Sequence, residues 1–144
     1  MTSHNESRTL PYPADLMFSI VADVEKYPLF LPWVTGIRIG KRISDRAFDC
    51  EMRVGFAGIN QSYVSRVTLD PEKRTVDVVQ SEGPFRQLEN HWRFSPRGEA
   101  CEVDFSIAFE FQNPLLNMVA GKAFERVLVK MTDAFEARAR SLAG

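Results

Sequence analysis

Apolar and polar residues alternate with the period of a helix between residues 113 and 142. Asn113 and Pro114 form a helix start, in which a capping side chain precedes a proline whose missing N–H costs nothing at the first helical position. At 100° per residue, one half of the helical wheel collects ten apolar side chains: Leu116, Val119, Ala120, Ala123, Phe124, Val127, Leu128, Met131, Ala134 and Phe135. The pattern predicts one continuous long helix that needs a broad apolar surface to lie on.

Most of the chain between residues 37 and 111 alternates residue by residue, which is the pattern of β-strands. The clearest strand covers residues 101–111, and turn signals at residues 70–73, 83–84 and 96–98 separate it and its neighbours. Each predicted strand is apolar on one face and polar on the other, which is typical of an antiparallel sheet with one solvated face. The short connections predict a meander.

The first third of the chain predicts a strand at residues 5–10, a helix that begins near Pro13, and an irregular elbow. In the elbow, Pro28 and Pro32 bracket a dense apolar cluster, and a regular helix cannot run through them. The expected fold is therefore α+β, a single domain over residues 1–144. A curved antiparallel sheet wraps around the long C-terminal helix in this fold.

Composition and charge narrow the classes of function. Hydrophobic residues make up 44% of the chain and charged residues 26%, which indicates a globular protein. The net charge of −1 argues against DNA binding through a broad basic surface. No apolar run approaches the roughly 20 residues that span a bilayer, and the N-terminus resembles neither a signal nor a transit segment. We therefore expect a cytoplasmic protein.

Residue patterns that carry catalysis or bind metals are absent in recognisable form. Cys50 and Cys101 are in phase with the apolar faces of their strands, so we expect two buried thiols. His4 and His91 are far apart, and no Cys/His cluster has metal-ligand spacing. His91 falls on the polar phase of its strand, which predicts a surface histidine. A binding protein without a catalytic cofactor or metal is favoured over an enzyme.

Aromatic side chains on the inward face of the sheet can converge on the C-terminal helix. Such a cluster is either a well-filled core or the wall of a pocket. Asn90 favours the pocket, because it is in phase with Leu88 and Trp92, and a buried amide needs a hydrogen-bond partner. The residues that we expect to line this pocket are Phe56, Tyr63, Asn90, Trp92, Phe105, Phe109, Phe124 and Leu128.

Three further features suggest surface contacts. Residues 54–59, at a predicted hairpin turn, and residues 114–119, at the helix start, are apolar where exposure is expected. Each either forms a gate or contact surface or caps the end of the core. Lys122, Arg126 and Lys130 recur every fourth residue along one flank of the helix. This spacing is typical of a solvated face, and it also suits anionic lipid headgroups.

Three segments carry a family resemblance: residues 27–34 (YPLFLPWV), 83–94 (GPFRQLENHWRF) and 135–139 (FEARA). They resemble the coenzyme Q-binding protein family, which includes the bacterial ribosome-association toxin proteins and lies within the START-like polyketide cyclase superfamily. The resemblance extends over nearly the whole chain. It implies a helix-grip fold, in which an antiparallel sheet and the C-terminal helix enclose a hydrophobic cavity, in agreement with the element order predicted above.

The resemblance also implies a function. It implies binding of ubiquinone or a similar polyprenyl lipid by a carrier or chaperone that supports respiration and quinone biosynthesis. The lack of transit character at the N-terminus favours a bacterial protein over a mitochondrial precursor. We expect such a protein to make peripheral contact with the inner face of the cytoplasmic membrane. The family motifs add five candidate ligand-binding residues: Tyr27, Phe30, Pro32, Trp33 and Phe85.

Two other functions compete with lipid binding. The first is a toxin of a toxin–antitoxin pair that binds ribosomal subunits and blocks their association, which the same family includes. The second is a cyclase-like enzyme that uses the same cavity. An enzyme of that kind needs inward ionisable groups, whereas the inward positions here are nearly all apolar.

Overall fold

The computed structural model describes residues 2–56 and 58–143, which form one seven-stranded antiparallel sheet and its covering helices. The strands, in the spatial order β1-β7-β6-β5-β4-β3-β2, are β1 (Thr2–Leu10), β2 (Val34–Ser44), β3 (Ala47–Phe56), β4 (Ile59–Asp70), β5 (Thr75–Glu82), β6 (Phe85–Arg97) and β7 (Ala100–Phe111). The helices are α1 (Ala14–Ala22), a 3-10 helix (Val24–Leu29), α2 (Pro114–Val129) and α3 (Met131–Ala143).

The meander predicted from the alternation is confirmed. Each strand from β2 to β6 pairs with the next one along the chain. The exception is β1, the first strand, which pairs with the last strand, β7. In this pairing Thr2 lies opposite Phe109 and Leu10 lies opposite Cys101. The sheet curves around α2 and α3, which is the helix-grip arrangement.

The core lies between the concave face of the sheet and the helices. Strand β7 shows how the alternation builds it, because every second side chain from Cys101 to Phe111 is buried. Cys50 and Cys101 are both buried and both free, as predicted. Burial raises the pKa of the Cys50 thiol to about 11, with smaller contributions from the carboxylates of Glu25 and Glu51, so this thiol is protonated and unreactive at neutral pH.

The C-terminal helix is not continuous, contrary to the prediction. It is interrupted at Lys130, whose backbone N–H donates to the carbonyl of Val127 at 3.1 Å, one residue closer than in an α-helix. The helix resumes as α3, in which Thr132 is 2% exposed and donates its hydroxyl to the Glu6 carboxylate of β1. The interruption therefore separates a segment that is tied to β1 from the rest of the helix.

Arg8 makes a second connection between β1 and α3. Its guanidinium donates to Glu6, to Asp133 at 2.8 Å and to Glu136 at 3.1 Å. Burial raises the pKa of Glu6, but the hydrogen bonds from Thr132 and Arg8 outweigh burial and hold that pKa below its ordinary value. The Glu6 carboxylate is therefore ionised at neutral pH, and α3 is anchored by charge-assisted hydrogen bonds.

Helix α2 buries only a narrow stripe, formed by Ala120, Phe124 and Leu128. The prediction that Val119 belongs to the buried half of the wheel is wrong, because Val119 is 65% exposed. Its neighbours Leu115 and Met118 are 64% and 80% exposed. The start of α2 is therefore an exposed apolar surface. No helix within the described ranges combines the length and the hydropathy that a membrane span requires.

The predicted hairpin at residues 54–59 differs from the exposed start of α2, because its large apolar side chains pack against the core. Val54 is buried, and the Phe56 ring lies with its centroid 5.3 Å from that of Phe124. These residues cap the end of the core, which is one of the two alternatives that the sequence left open. Ala57 lies outside the described residues.

Candidate functional site

A small apolar cavity lies between the concave face of the sheet and the two C-terminal helices. Its volume is about 60 Å³. The elbow, the six strands β2 to β7 and the helices α2 and α3 form the wall. The lining residues are Val24, Tyr27, Leu31, Trp33, Val34, Cys50, Met52, Val54, Tyr63, Ser65, Val67, Val78, Leu88, Asn90, Trp92, Ile107, Phe124, Val127, Leu128, Met131 and Phe135.

The elbow after α1 fixes one side of the cavity. Tyr27 is buried in the 3-10 helix, where its hydroxyl donates to the carbonyl of Val21. The backbone of the elbow turns tightly, since Leu31 N–H donates to the Tyr27 carbonyl at 2.9 Å and Val34 N–H donates to the Leu31 carbonyl at 3.0 Å. Burial raises the pKa of Tyr27 far above its ordinary value, so the phenol is neutral.

Tyr63 lines the opposite side, and the turn between β5 and β6 holds it in place. Gly83 in that turn has a φ of 151°, and a Cβ at this position would lie 2.5 Å from the Cβ of Tyr63. Only glycine therefore allows the turn to pack so closely. The Tyr63 ring packs edge-on against Phe85 at 5.4 Å, and its hydroxyl donates to the Met52 sulfur at 3.1 Å. Burial raises the Tyr63 pKa above its ordinary value.

Two polar side chains without charge face this cavity, Ser65 from β4 and Asn90 from β6. Ser65 is 3% exposed, and its hydroxyl has no hydrogen-bond partner among the described residues. Asn90 was predicted from the sequence, and Ser65 was not. The alternation along β4 could have indicated Ser65, because Ser65 is in phase with Tyr63 and Val67 on the inward face of that strand.

The cavity brings together seven of the thirteen predicted ligand-binding residues. They come from the elbow, from strands β4 and β6, and from α2: Tyr27, Trp33, Tyr63, Asn90, Trp92, Phe124 and Leu128. Their convergence agrees with the predicted inward face of the sheet.

The other six predicted residues do not line the cavity. Phe56, Phe85 and Phe109 surround Phe124, with ring centroids 5.3, 5.6 and 4.6 Å away, so they support the wall from behind. Phe105 packs at 4.2 Å against Trp92, and Phe30 at 5.3 Å against Phe135. Pro32 is exposed in the elbow.

The chemistry of the lining suits a neutral, largely apolar ligand. Among the described residues, the cavity wall contains no Asp, Glu, Lys, Arg or His. His91 lies on the outer face of the sheet, where its Nδ1 is 2.6 Å from Asp77. The wall can therefore supply aromatic and aliphatic contacts together with a few hydrogen bonds, and none of its groups is placed to move a proton at neutral pH.

A family model described as polyketide cyclase / dehydrase and lipid transport matches residues 10–136. The ribosome association toxin RatA of Pseudomonas aeruginosa is 33% identical over 146 residues, with 100% of both chains covered. The mitochondrial coenzyme Q-binding protein COQ10 homolog B of Xenopus laevis is 34% identical over 147 residues, which cover 98% of this chain and 59% of that protein.

Solved structures agree on the fold. The solution structure of an 18 kDa protein from Caulobacter crescentus is 39% identical, with a TM-score of 0.80 over 100% of this chain and 99% of that one. A START superfamily protein from Mycobacterium smegmatis is 21% identical, with a TM-score of 0.82 over 97% and 98% of the two chains.

Proposed function

This chain belongs to the polyketide cyclase / dehydrase and lipid transport family, and we propose that it binds ubiquinone or a similar polyprenyl lipid as a carrier or chaperone. In this proposal one START-like domain over residues 1–144 holds the lipid in the cavity, supports respiration and quinone biosynthesis, and catalyses no reaction. The name of the coenzyme Q-binding relative supports the ligand class.

The observation that carries the proposal is the composition of the cavity wall. Its aromatic and aliphatic side chains surround only two small polar ones, Ser65 and Asn90, which is the usual form of a site for an apolar ligand with a few polar atoms. Burial of an isoprenoid unit of five carbons stabilises a complex by up to roughly 4 kcal/mol. The wall offers no ionised group that would oppose this burial.

The cavity has to widen before such a lipid fits. Ligand sites in proteins usually measure roughly 300–1,000 Å³, whereas this cavity measures about 60 Å³. Helix α2 is the wall that can move, because it has no ion pair to the sheet among the described residues, whereas Arg8 of β1 pairs with Asp133 and Glu136 of α3. We propose that α2 moves outward when the lipid enters.

Peripheral contact with a membrane would bring α2 to the bilayer in which the polyprenyl lipid is dissolved. The outward face of α2 carries exposed apolar side chains near its start and Lys122, Arg126 and Lys130 towards its end. This combination suits insertion into an anionic bilayer surface. We propose that the protein works in the cytoplasm and contacts the inner face of the cytoplasmic membrane through α2.

A test of lipid binding is to fill the cavity from α2. Val127 lines the cavity, and Val129 lies two residues further along the same helix and is 49% exposed. We expect Val127→Phe to lower the affinity for a short-chain ubiquinone at least tenfold, because the added ring occupies the cavity, while Val129→Phe binds like the wild type. Quenching of tryptophan fluorescence measures the affinity.

Native mass spectrometry of the purified protein gives a second readout. We expect the wild type and Val129→Phe to carry a quinone or prenyl lipid that Val127→Phe lacks, with unchanged circular dichroism for all three. If the wild type binds no quinone, or if both variants bind it equally, the proposal is contradicted.

The second candidate function is inhibition of ribosomal subunit association, which the name of the Pseudomonas aeruginosa relative supports. It predicts that the purified protein co-sediments with a ribosomal subunit and that this binding weakens steeply with salt. Val127→Phe should leave co-sedimentation unchanged, because its effect is confined to the cavity. Ribosome binding by a protein that takes up no quinone would favour this function over lipid binding.

A further inference from the structure

The sheet is irregular next to Ser65. Between Val64 and Ser65 the pairing with β5 shifts, so that Val64 lies opposite Glu82 and Ser65 opposite Gln80. The extra residue on β5 is Ser81, whose hydroxyl donates to the Val64 carbonyl at 3.2 Å. β-Bulges of this kind change the direction of neighbouring side chains and are frequent beside functional sites.

Ser65 lies opposite Cys50 on β3 and opposite Gln80 on β5, and the amide of Gln80 is already occupied. Gln80 faces inward beside Ser65, but its amide makes two hydrogen bonds to the backbone of Phe85. Its Nε2 donates to the Phe85 carbonyl at 2.8 Å, and its Oε1 accepts from the Phe85 N–H at 3.2 Å. Gln80 therefore fixes the start of β6, and the Ser65 hydroxyl is left without a protein partner.

A buried hydroxyl without a partner costs roughly 1–3 kcal/mol relative to one that is hydrogen-bonded. An alanine at position 65 would avoid this cost and would suit the apolar wall. Ser65 nevertheless lies inside the cavity, 3% exposed. A hydroxyl at this position is explained when an oxygen of the ligand accepts its hydrogen bond.

We propose that Ser65 donates a hydrogen bond to a carbonyl oxygen on the ring of the bound lipid, and that the ring binds against the β4–β6 wall. This inference rests on the proposed lipid-binding function and specifies the orientation of the ligand. The isoprenoid tail then lies against the apolar wall formed by Phe124, Val127 and Met131 of α2 and α3.

Asn90 supplies the second polar contact. In the sheet register it lies opposite Val78, which lies opposite Val67, two residues along β4 from Ser65. Ser65 and Asn90 are thus two strands and two residues apart, roughly 12 Å between Cα atoms on a flat sheet and less on a curved one. A ring with oxygens on opposite sides can reach both residues at once, and a lipid with one terminal hydroxyl cannot.

The test uses Ser65→Ala with Ser62→Ala as the matched control, since Ser62 lies on the same strand and is exposed. We expect Ser65→Ala to weaken binding of a short-chain ubiquinone roughly five- to tenfold and to leave binding of an isoprenoid hydrocarbon without oxygen unchanged. Ser62→Ala should bind both ligands like the wild type. Ser65→Cys keeps the side-chain size but donates weakly, so it should resemble Ser65→Ala.

The melting temperature of the ligand-free protein separates this role from a structural one. We expect Ser65→Ala to melt at the same temperature as the wild type or higher, because the substitution removes an unpaired buried hydroxyl. The inference is overturned if the wild type binds ubiquinone and Ser65→Ala binds it equally well, or if both ligands weaken together. If the wild type binds no quinone, the proposed function itself fails.

Discussion

Glu6 shows how one partly buried carboxylate joins the two ends of the chain. It accepts hydrogen bonds from Thr132 and Arg8, and its side chain is 22% exposed. Burial alone would raise the pKa of Glu6, but these donors hold that pKa below the ordinary value of 4.5. A carboxylate whose pKa is lowered by folding stabilises the folded state above the pKa of the unfolded chain. This stabilisation is lost as the pH falls through the folded-state pKa.

We expect Glu6→Gln to lower the melting temperature at pH 7, because the amide loses the charge that Arg8 contacts. The difference from the wild type should shrink as the pH falls below about 4.5 and disappear once the wild-type Glu6 is protonated. Thermal unfolding followed by circular dichroism between pH 3 and pH 7, about the range over which carboxylates titrate, measures this.

Glu72→Gln is a suitable control, because Glu72 is exposed and pairs with the exposed Arg46. It should change the melting temperature little at any pH, as exposed ion pairs contribute little to stability. A pH-independent effect of Glu6→Gln would show that the charge of Glu6 does not stabilise the fold.

Helix α2 has two faces with separate roles. One face lines the cavity through Phe124, Val127 and Leu128. The other is a solvent-facing stripe about 120° wide on a helical wheel, which we call the α2 outer stripe; it contains Leu115, Met118, Val119, Lys122, Arg126, Val129 and Lys130. The exposed Glu125 borders the stripe and lies in the same surface groove as its three cations, and these cations make no ion pair among the described residues. A helix of this kind can lie on an anionic bilayer while its other face contacts the ligand.

We expect the wild type to bind vesicles that contain anionic phospholipids and to bind zwitterionic vesicles weakly. Reversing the three charges (Lys122→Glu, Arg126→Glu and Lys130→Glu) should lower the affinity at least tenfold, since each cation near an anionic surface contributes about 1 kcal/mol. Vesicle co-sedimentation measures the affinity. Substitution of Met118 by Glu should weaken binding as well, because Met118 is 80% exposed at the apolar end of the stripe.

A control with the same change in net charge is Arg38→Glu, Lys41→Glu and Arg42→Glu on β2, at the edge of the sheet. If both triple variants lose vesicle binding equally, the net charge of the protein explains the binding and the α2 outer stripe does not. If neither loses it, the protein does not dock through α2.

Elements whose stabilising contacts are local in the sequence could be predicted, and those that depend on remote partners could not. Strand β7 was predicted because its alternation from Cys101 to Phe111 is complete. The break at Lys130 has no proline or glycine to signal it, and the contact that anchors the following turn joins Thr132 to Glu6 across most of the chain.

In the candidate site too, local sequence patterns could be predicted and contacts between remote residues could not. Trp92 and Phe124 were predicted to line the cavity from their phase, whereas Phe105 and Phe109 share that phase but are covered by neighbouring rings. Periodicity gives the face of a strand on which a residue lies, but the depth of that residue depends on packing between distant strands. Ser65 was missed because a small polar residue does not add to an apolar pattern.

Different contacts hold the two C-terminal helices on the sheet. The charged contacts of Arg8 hold α3 on β1. In contrast, α2 is held by its buried stripe and by Asn117, whose side chain makes two hydrogen bonds to the Phe111 backbone at 3.0 and 3.2 Å. The interruption at Lys130 lies between the two helices. A cavity of about 60 Å³ can therefore widen by movement of α2 about this point while α3 keeps its place.

We expect hydrogen exchange to be faster in α2 than in α3 in the ligand-free protein, because α3 is tied to β1 by Arg8 and Glu6 and α2 has no such charged contact among the described residues. Adding a short-chain ubiquinone should slow exchange in α2 most, and exchange in β7 should stay unchanged. Mass spectrometry of peptic peptides resolves the three segments. Equal slowing in α2 and α3 would contradict movement about Lys130.

The pairing of β1 with β7 determines when the fold can be completed. At the edge of the sheet, β1 has β7 as its one neighbouring strand, and β7 follows it about a hundred residues later. A chain that is being synthesised therefore carries its first strand unpaired until nearly all the others exist. Contacts between such distant segments slow folding, and α3 cannot dock on Glu6 and Arg8 before β1 is in place. The strand that begins the chain thus belongs to the last step of folding.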